Sequence, residues 1–175
     1  MIVDTHAHYL PQEMLDDLKN RSSDFPSIEC MSDGETWKLG FAVGSLSRPI
    51  HPNLRNSDKR LRWMDEQQID VQVCGGWPDS FGYEIPDAEG MRWSQFINEH
   101  LMKNCDASDH LAPLASVPLQ NGKMAAKILE EALNHTDDFG RDARSIMRTL
   151  ENIKDPDQVE KAAKEDVDKI KSFNK

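Results

Sequence analysis

Ile2-Val3-Asp4-Thr5-His6-Ala7-His8 is the stretch on which the fold reading turns. Ile2 to Thr5 is short, β-prone and directly N-terminal to a polar cluster, so it is expected as a buried strand whose C-terminal end presents His6 and His8. Two histidines at spacing i, i+2 on extended backbone point to one side, where both imidazoles can meet a single divalent ion at about 2.0–2.1 Å. An arbitrary His-x-His is more often a pair of surface histidines. Here the pair closes the first strand of the chain at its carboxyl edge, where parallel α/β folds place their active sites.

Outward from this strand, apolar periodicity alternates between helix and strand. Pro11 opens a brief helix with Met14, Leu15 and Leu18 on one face. Residues 20–57 lack sustained periodicity and form an insertion, with Lys38 to Val43 as an edge strand closed by Gly44-Ser45, in a hairpin if a partner strand exists. A helix from Ser57 to Gln68 leads into a strand over Ile69 to Cys74, which stops at Gly75-Gly76. Residues 87–104 form a helix with Met91, Trp93, Phe96, Ile97 and Leu101 at spacings of three and four, followed by a strand over Leu111 to Val117. Asn121 caps a further helix. Asp142 to Ile153 and Pro156 to Phe173 are two charged helices with narrow apolar stripes.

Alternating strands and helices imply a parallel sheet with crossover helices. A complete eight-stranded barrel takes about 250 residues, and 175 residues with three visible strands cannot hold one. The expected fold class is therefore α/β, a partial (β/α)8 TIM-barrel-like sheet with a helical C-terminus. It forms one domain over residues 1–175, with 1–134 as the N-terminal barrel portion and 135–175 as the helical segment.

Composition narrows the function classes. A formal charge of −10 disfavours nucleic acid, whose phosphates require clustered Lys and Arg, and disfavours anionic membrane surfaces. No stretch approaches the ~18 uninterrupted apolar residues of a spanning helix. Cys30, Cys74 and Cys105 have no Cys-x-x-Cys spacing, which suits reduced thiols and a cytoplasmic setting.

The run Met1 to Pro11 resembles the opening of the metal-dependent amidohydrolases, and more closely their aminocarboxymuconate-semialdehyde decarboxylase branch. Two further blocks carry that resemblance. Arg60-Leu61-Arg62-Trp63-Met64-Asp65 through Val73 is similar to the family's helix and second strand, and Ala112 to Gln120 to its third strand with a closing proline. The resemblance implies zinc or another divalent ion held by His6 and His8 with a later His and an Asp. The run His135-Thr136-Asp137 looks like the segment that supplies that Asp, at Asp137. It also implies that Arg48 meets a substrate carboxylate, for which a planar guanidinium offers a bidentate match; an exposed loop arginine is the other reading of Arg48. Trp77, after the glycine pair, is placed to wall a pocket.

Two readings follow. One is a metal-dependent carboxy-lyase or hydrolase acting on a small aromatic or unsaturated carboxylic acid. The other is an inactive fragment, both ends of a barrel without its centre, that serves as a subunit or remnant. Exposed sheet edges make a homo-oligomer the expectation in either case. The lone histidines His51, His100 and His110 are weaker candidates, read as surface or structural residues.

Overall fold

The computed structural model of the chain describes residues 2–41 and 46–134. The predicted helices at 142–153 and 156–173, the Ala42 to Ser45 end of the predicted edge strand, and Asp137 lie outside the described residues.

A three-stranded parallel sheet organises the described part. Its strands are β1 (Val3–His8), β4 (Val71–Gly75) and β5 (Leu111–Pro113), with β4 in the centre. Helix α1 (Gln12–Asn20), a two-stranded antiparallel ribbon of β2 (Ile28–Ser32) and β3 (Trp37–Phe41), and helices α2 (Pro52–Arg55) and α3 (Ser57–Glu66) lie between β1 and β4 in sequence. Helix α4 (Asp87–Cys105) joins β4 to β5, and α5 (Gly122–Asn134) follows β5. Strand–helix–parallel-strand connections place the C-terminal ends of β1, β4 and β5 at one edge, with the loops that follow them.

Local chemistry explains most boundaries. Pro11 occupies the cap position of α1, and Met14, Leu15 and Leu18 are buried as the periodicity predicts. The Asn56 side chain accepts the Lys59 N–H at 2.8 Å to start α3, and Asn121 does the same for Met124 at 3.2 Å to start α5. Between β2 and β3 the Asp33 carboxylate accepts the N–H groups of Thr36 (2.7 Å) and Glu35 (3.1 Å), which hold its pKa below the ordinary carboxylate range.

Three expectations are corrected. The first strand runs on through His8, so His6 and His8 lie within β1 rather than beyond its end. The third strand ends at Pro113, four residues before Val117; the Leu114 N–H makes a last bond to the Cys74 carbonyl at 2.8 Å, and no pairing with β4 follows it. The insertion does hold a hairpin, whose partner strand β2 was not legible: Ile28-Glu29-Cys30-Met31-Ser32 pairs with β3 over its whole length, and β3 begins at Trp37.

The insertion is integral to the core. Phe25 and Phe41 meet Trp93 of α4 with ring centroids 5.6 and 5.8 Å apart, and Phe25 meets Phe96 at 5.2 Å. Trp93 is fully buried and donates its indole N–H to the Ser80 carbonyl at 2.7 Å, as a buried Trp requires. This ties the 3₁₀ turn Pro78–Ser80 to α4.

Gly82 completes the same region. Its φ of +64° lies in the left-handed region, and a Cβ there would stand 2.6 Å from Cδ1 of the buried Phe41 ring. Both the backbone and the packing therefore require glycine. Gly82→Ala is expected to lower stability by about 2–4 kcal/mol, seen as a lower urea midpoint with an unchanged slope; an unaltered midpoint would show that the Phe41 ring yields freely.

Candidate metal centre

The register of β1 against β4 decides which way the histidines point. Val3 pairs with Val71 and Asp4 with Gln72, but Ala7 pairs with Cys74 and His8 with Gly75, so β1 holds one extra residue between Asp4 and Ala7. This β-bulge changes the parity of the strand. Without it Asp4, His6 and His8 would share a face. With it, Asp4 and Ala7 stand beside Gln72 and Cys74 on the face that packs against the helices, and His8 stands beside Gly75 on the other. Ala7 accordingly packs on the hydrophobic core, whereas Val3 and His6 are exposed. The Asp4 carboxylate accepts the His6 N–H at 3.1 Å, which supplies a partner at the position where the bulge interrupts the ladder.

His6 and His8 meet edge to face, with ring centroids 4.9 Å apart. His8 is fixed further: its Nδ1 lies 3.0 Å from the Gly76 carbonyl oxygen. A carbonyl only accepts, so Nδ1 carries the proton and the lone pair of the neutral ring is on Nε2. A hydrogen bond of this kind, from the ring nitrogen that does not ligate, orients an imidazole for a metal. A Cβ at position 76 would stand 2.8 Å from Ser116 Oγ and 3.0 Å from Phe81 Cε1, so glycine lets both side chains approach this turn without shifting. The Tyr9 N–H, next along the chain, bonds the Gly75 carbonyl at 2.9 Å, so the ends of β1 and β4 are joined at both residues.

Behind the sheet lies a buried polar network. Gln72 donates from Nε2 to Asp4 Oδ2 at 2.7 Å and accepts at Oε1 from the Arg60 guanidinium. Arg60 also donates to the His8 carbonyl at 2.5 Å and the Asn53 carbonyl at 3.4 Å, and lies 4.7 Å from the Tyr9 ring centroid. Arg60 and Gln72 are 8% and 3% exposed, so these bonds operate where an unmade one is expensive. His8 is thus gripped twice, through its ring by Gly76 and through its carbonyl by Arg60. Burial pushes the Tyr9 phenol up to about 12, which keeps it neutral under the guanidinium.

The residues present fit part of a divalent centre. Two imidazoles in contact on an open face, one with its tautomer set, are the donor chemistry such an ion takes. Among the described residues no group of three or more His, Cys, Asp or Glu side chains gathers to hold an ion, and catalytic zinc takes three protein ligands.

No protein-family model matches the chain. Over 128 residues it is 28% identical to 2-amino-3-carboxymuconate-6-semialdehyde decarboxylase of Caenorhabditis elegans, covering 72% of this chain and 31% of that protein. In fold it is similar to the IDCase of Metarhizium anisopliae, with a TM-score of 0.54 at 15% identity over 75% of this chain and 39% of that one. It is also similar to 5-carboxyvanillate decarboxylase of Sphingomonas paucimobilis, with a TM-score of 0.52 at 16% identity over 77% and 39%. The chain is amidohydrolase-like. It has a mixed α/β fold with a parallel sheet, consistent with a partial barrel, and spans about a third of the length of the curated relative it matches.

In this amidohydrolase-like chain the other candidate residues separate into two groups. Arg48 and Trp77 come together: the guanidinium carbon lies 5.4 Å from the Trp77 ring centroid, and Trp77 directly follows the Gly76 that holds His8. Arg48 already meets a carboxylate, that of Asp79, through Nε at 2.9 Å and a terminal nitrogen at 2.8 Å. This pairing holds the Asp79 carboxyl below the usual range.

The remaining histidines among the described residues are engaged elsewhere. His51 accepts the Asn53 N–H at 3.2 Å and caps α2. His100 packs on Phe96 and bonds Asp17 at 3.2 Å, and His110 bonds the Asp70 carbonyl at 2.9 Å. Cys74 and Cys105 are buried with their thiols hydrogen-bonded, and Cys30 is half-buried. Among the described residues no helix is long and apolar enough to cross a membrane.

Asp4, Arg60 and Gln72 were not singled out as functional residues from the sequence. One signal was available. Arg60 stands four residues before the buried Met64, on the inner face of α3, where an arginine must find buried acceptors.

Proposed function

We propose that the chain supplies the first two ligands of a divalent-metal centre, His6 and His8, and the carboxylate-binding arginine, Arg48, of an enzyme acting on a small aromatic or unsaturated carboxylic acid. The observation that carries this reading is the His8 ring: bonded through Nδ1 to Gly76 and in contact with His6, it keeps Nε2 free to ligate. Zinc or another divalent ion, when bound, would supply Lewis acidity toward a substrate oxygen or an attacking water. His6 and His8 would hold it, with Gly76 and Arg60 keeping His8 in place and Arg48 orienting the acid group.

Decarboxylation is preferred over hydrolysis because the curated relative and one fold neighbour are decarboxylases by name. Incubating the zinc- or cobalt-supplemented chain with aromatic acids labelled with ¹³C at the carboxyl tests this. Release of ¹³CO₂ that disappears in His6→Ala/His8→Ala supports it. Ion binding without turnover on any acid favours the second reading, a non-catalytic subunit. That reading draws on the exposed apolar side chains of the histidine-bearing face, Val3 and Leu114, which a second copy of the chain would cover.

A further inference from the structure

The Arg48 fork is shaped for a carboxylate, and it holds one that belongs to the chain. We propose that Asp79 is an internal competitor: its carboxylate occupies Arg48 in the ligand-free chain and must give way to an incoming aromatic monocarboxylate, so Asp79 sets the affinity and selectivity of the site. This inference rests on the reading of Arg48 as the carboxylate-binding residue and adds to it a residue that nothing else in the site suggests.

Geometry supports the exchange. The pair is bidentate, with a third and longer contact from the Arg48 backbone N–H to Asp79 Oδ2 at 3.4 Å. Such fork-to-fork geometry discriminates for carboxylate over single-atom acceptors. The two partners are held unequally. Asp79 sits in the turn that Ser80 closes by donating from Oγ to the Trp77 carbonyl at 2.6 Å and that Trp93 pins from the core. Its side chain is 24% exposed, while that of Arg48 is 73% exposed. The arginine is therefore the partner free to swing, and Asp79 the fixed post to which it returns.

Magnitude decides that the lock can open. Exposed ion pairs favour their closed form by only about two- to fivefold, because water competes for both charges. A buried pair would not release its arginine to a millimolar ligand, whereas this one does so readily. Since ligand binds only the open fraction, the closed pair weakens apparent affinity by roughly three- to sixfold.

Benzoate titration, followed on the Arg48 side-chain N–H resonance at constant ionic strength, tests the proposal. Asp79→Asn keeps the shape of the turn and removes the charge; Asp79→Ser serves if the amide still engages Arg48, and the unfolding midpoint confirms that each variant is folded. The expected result is three- to sixfold tighter benzoate binding in the Asp79 variants, abolished by Arg48→Ala in both backgrounds. Equal affinity with and without the Asp79 carboxylate, still dependent on Arg48, overturns the competitor role and leaves the Arg48 reading standing. Benzoate binding that is indifferent to Arg48, or absent even in the Asp79 variants, overturns both.

Discussion

Replacing His6 and His8 together by alanine is expected to lower divalent-ion affinity by at least about 100-fold, since loss of even an outer partner of a metal ligand costs 10–100-fold. Calorimetric titration of the wild-type chain and the double variant with zinc or cobalt reads this directly. The two rings are in edge-to-face contact on an open face, and His8 is fixed by the Gly76 carbonyl, so little side-chain entropy remains to be lost on binding. Neither substitution removes a core residue, because His6 is exposed and His8 only half-buried. The unfolding midpoint of the metal-free chain should therefore change little. Equal ion uptake by both forms would place the ion elsewhere and remove the metal centre from β1.

Arg60→Met is expected to cost about 3 kcal/mol of stability and to weaken ion binding about tenfold. The substitution leaves Gln72 Oε1 and the carbonyls of His8 and Asn53 without the donor that each now has. Each buried orphan costs about 1–3 kcal/mol, offset in part because a cation no longer has to be kept out of water. Gln72→Leu should act on the same network, so the double substitution should cost less than the sum of the two. Urea unfolding checks the stability and calorimetry the affinity. A variant as stable as the parent, with sites that add independently, would show that the network contributes no net energy. The loss of affinity is the more specific readout, since it tests whether holding the His8 carbonyl matters to the ring.

The longer helices were legible because their signals are local, whereas the four-residue α2 was not. Met14, Leu15 and Leu18 mark the buried face of α1, and Asn121 marks a cap that is a matter of one side chain and one N–H. The extent of the strands was less so. Ile28 to Ser32 has no strong alternation of its own and becomes a strand because β3 offers it a full ladder. β4 misleads in another way. Val71 and Val73 alternate with Gln72, a pattern that suggests a polar side turned to solvent, yet Gln72 is the most buried of the three. Its burial depends on Asp4 and Arg60, 68 and 12 residues away in sequence, which supply the bonds that make it affordable.

The sequence by itself determined that a first strand leads into two histidines, that parallel strands alternate with helices around it, and that an arginine precedes the second helix–strand unit. Hydrophobic period, capping and residue chemistry are properties of neighbours along the chain, and they survive without knowledge of the fold. Only the tertiary structure decided the rest: the one-residue bulge that sends Asp4 to the helices and His8 to the open face, the Gly76 carbonyl that selects the tautomer of His8, and the Asp79 carboxylate that occupies Arg48. The last two depend on residues 68 and 31 positions apart meeting at 3.0 and 2.8 Å, and the bulge on how β1 pairs with β4. Register and packing set such meetings, and no local pattern encodes them.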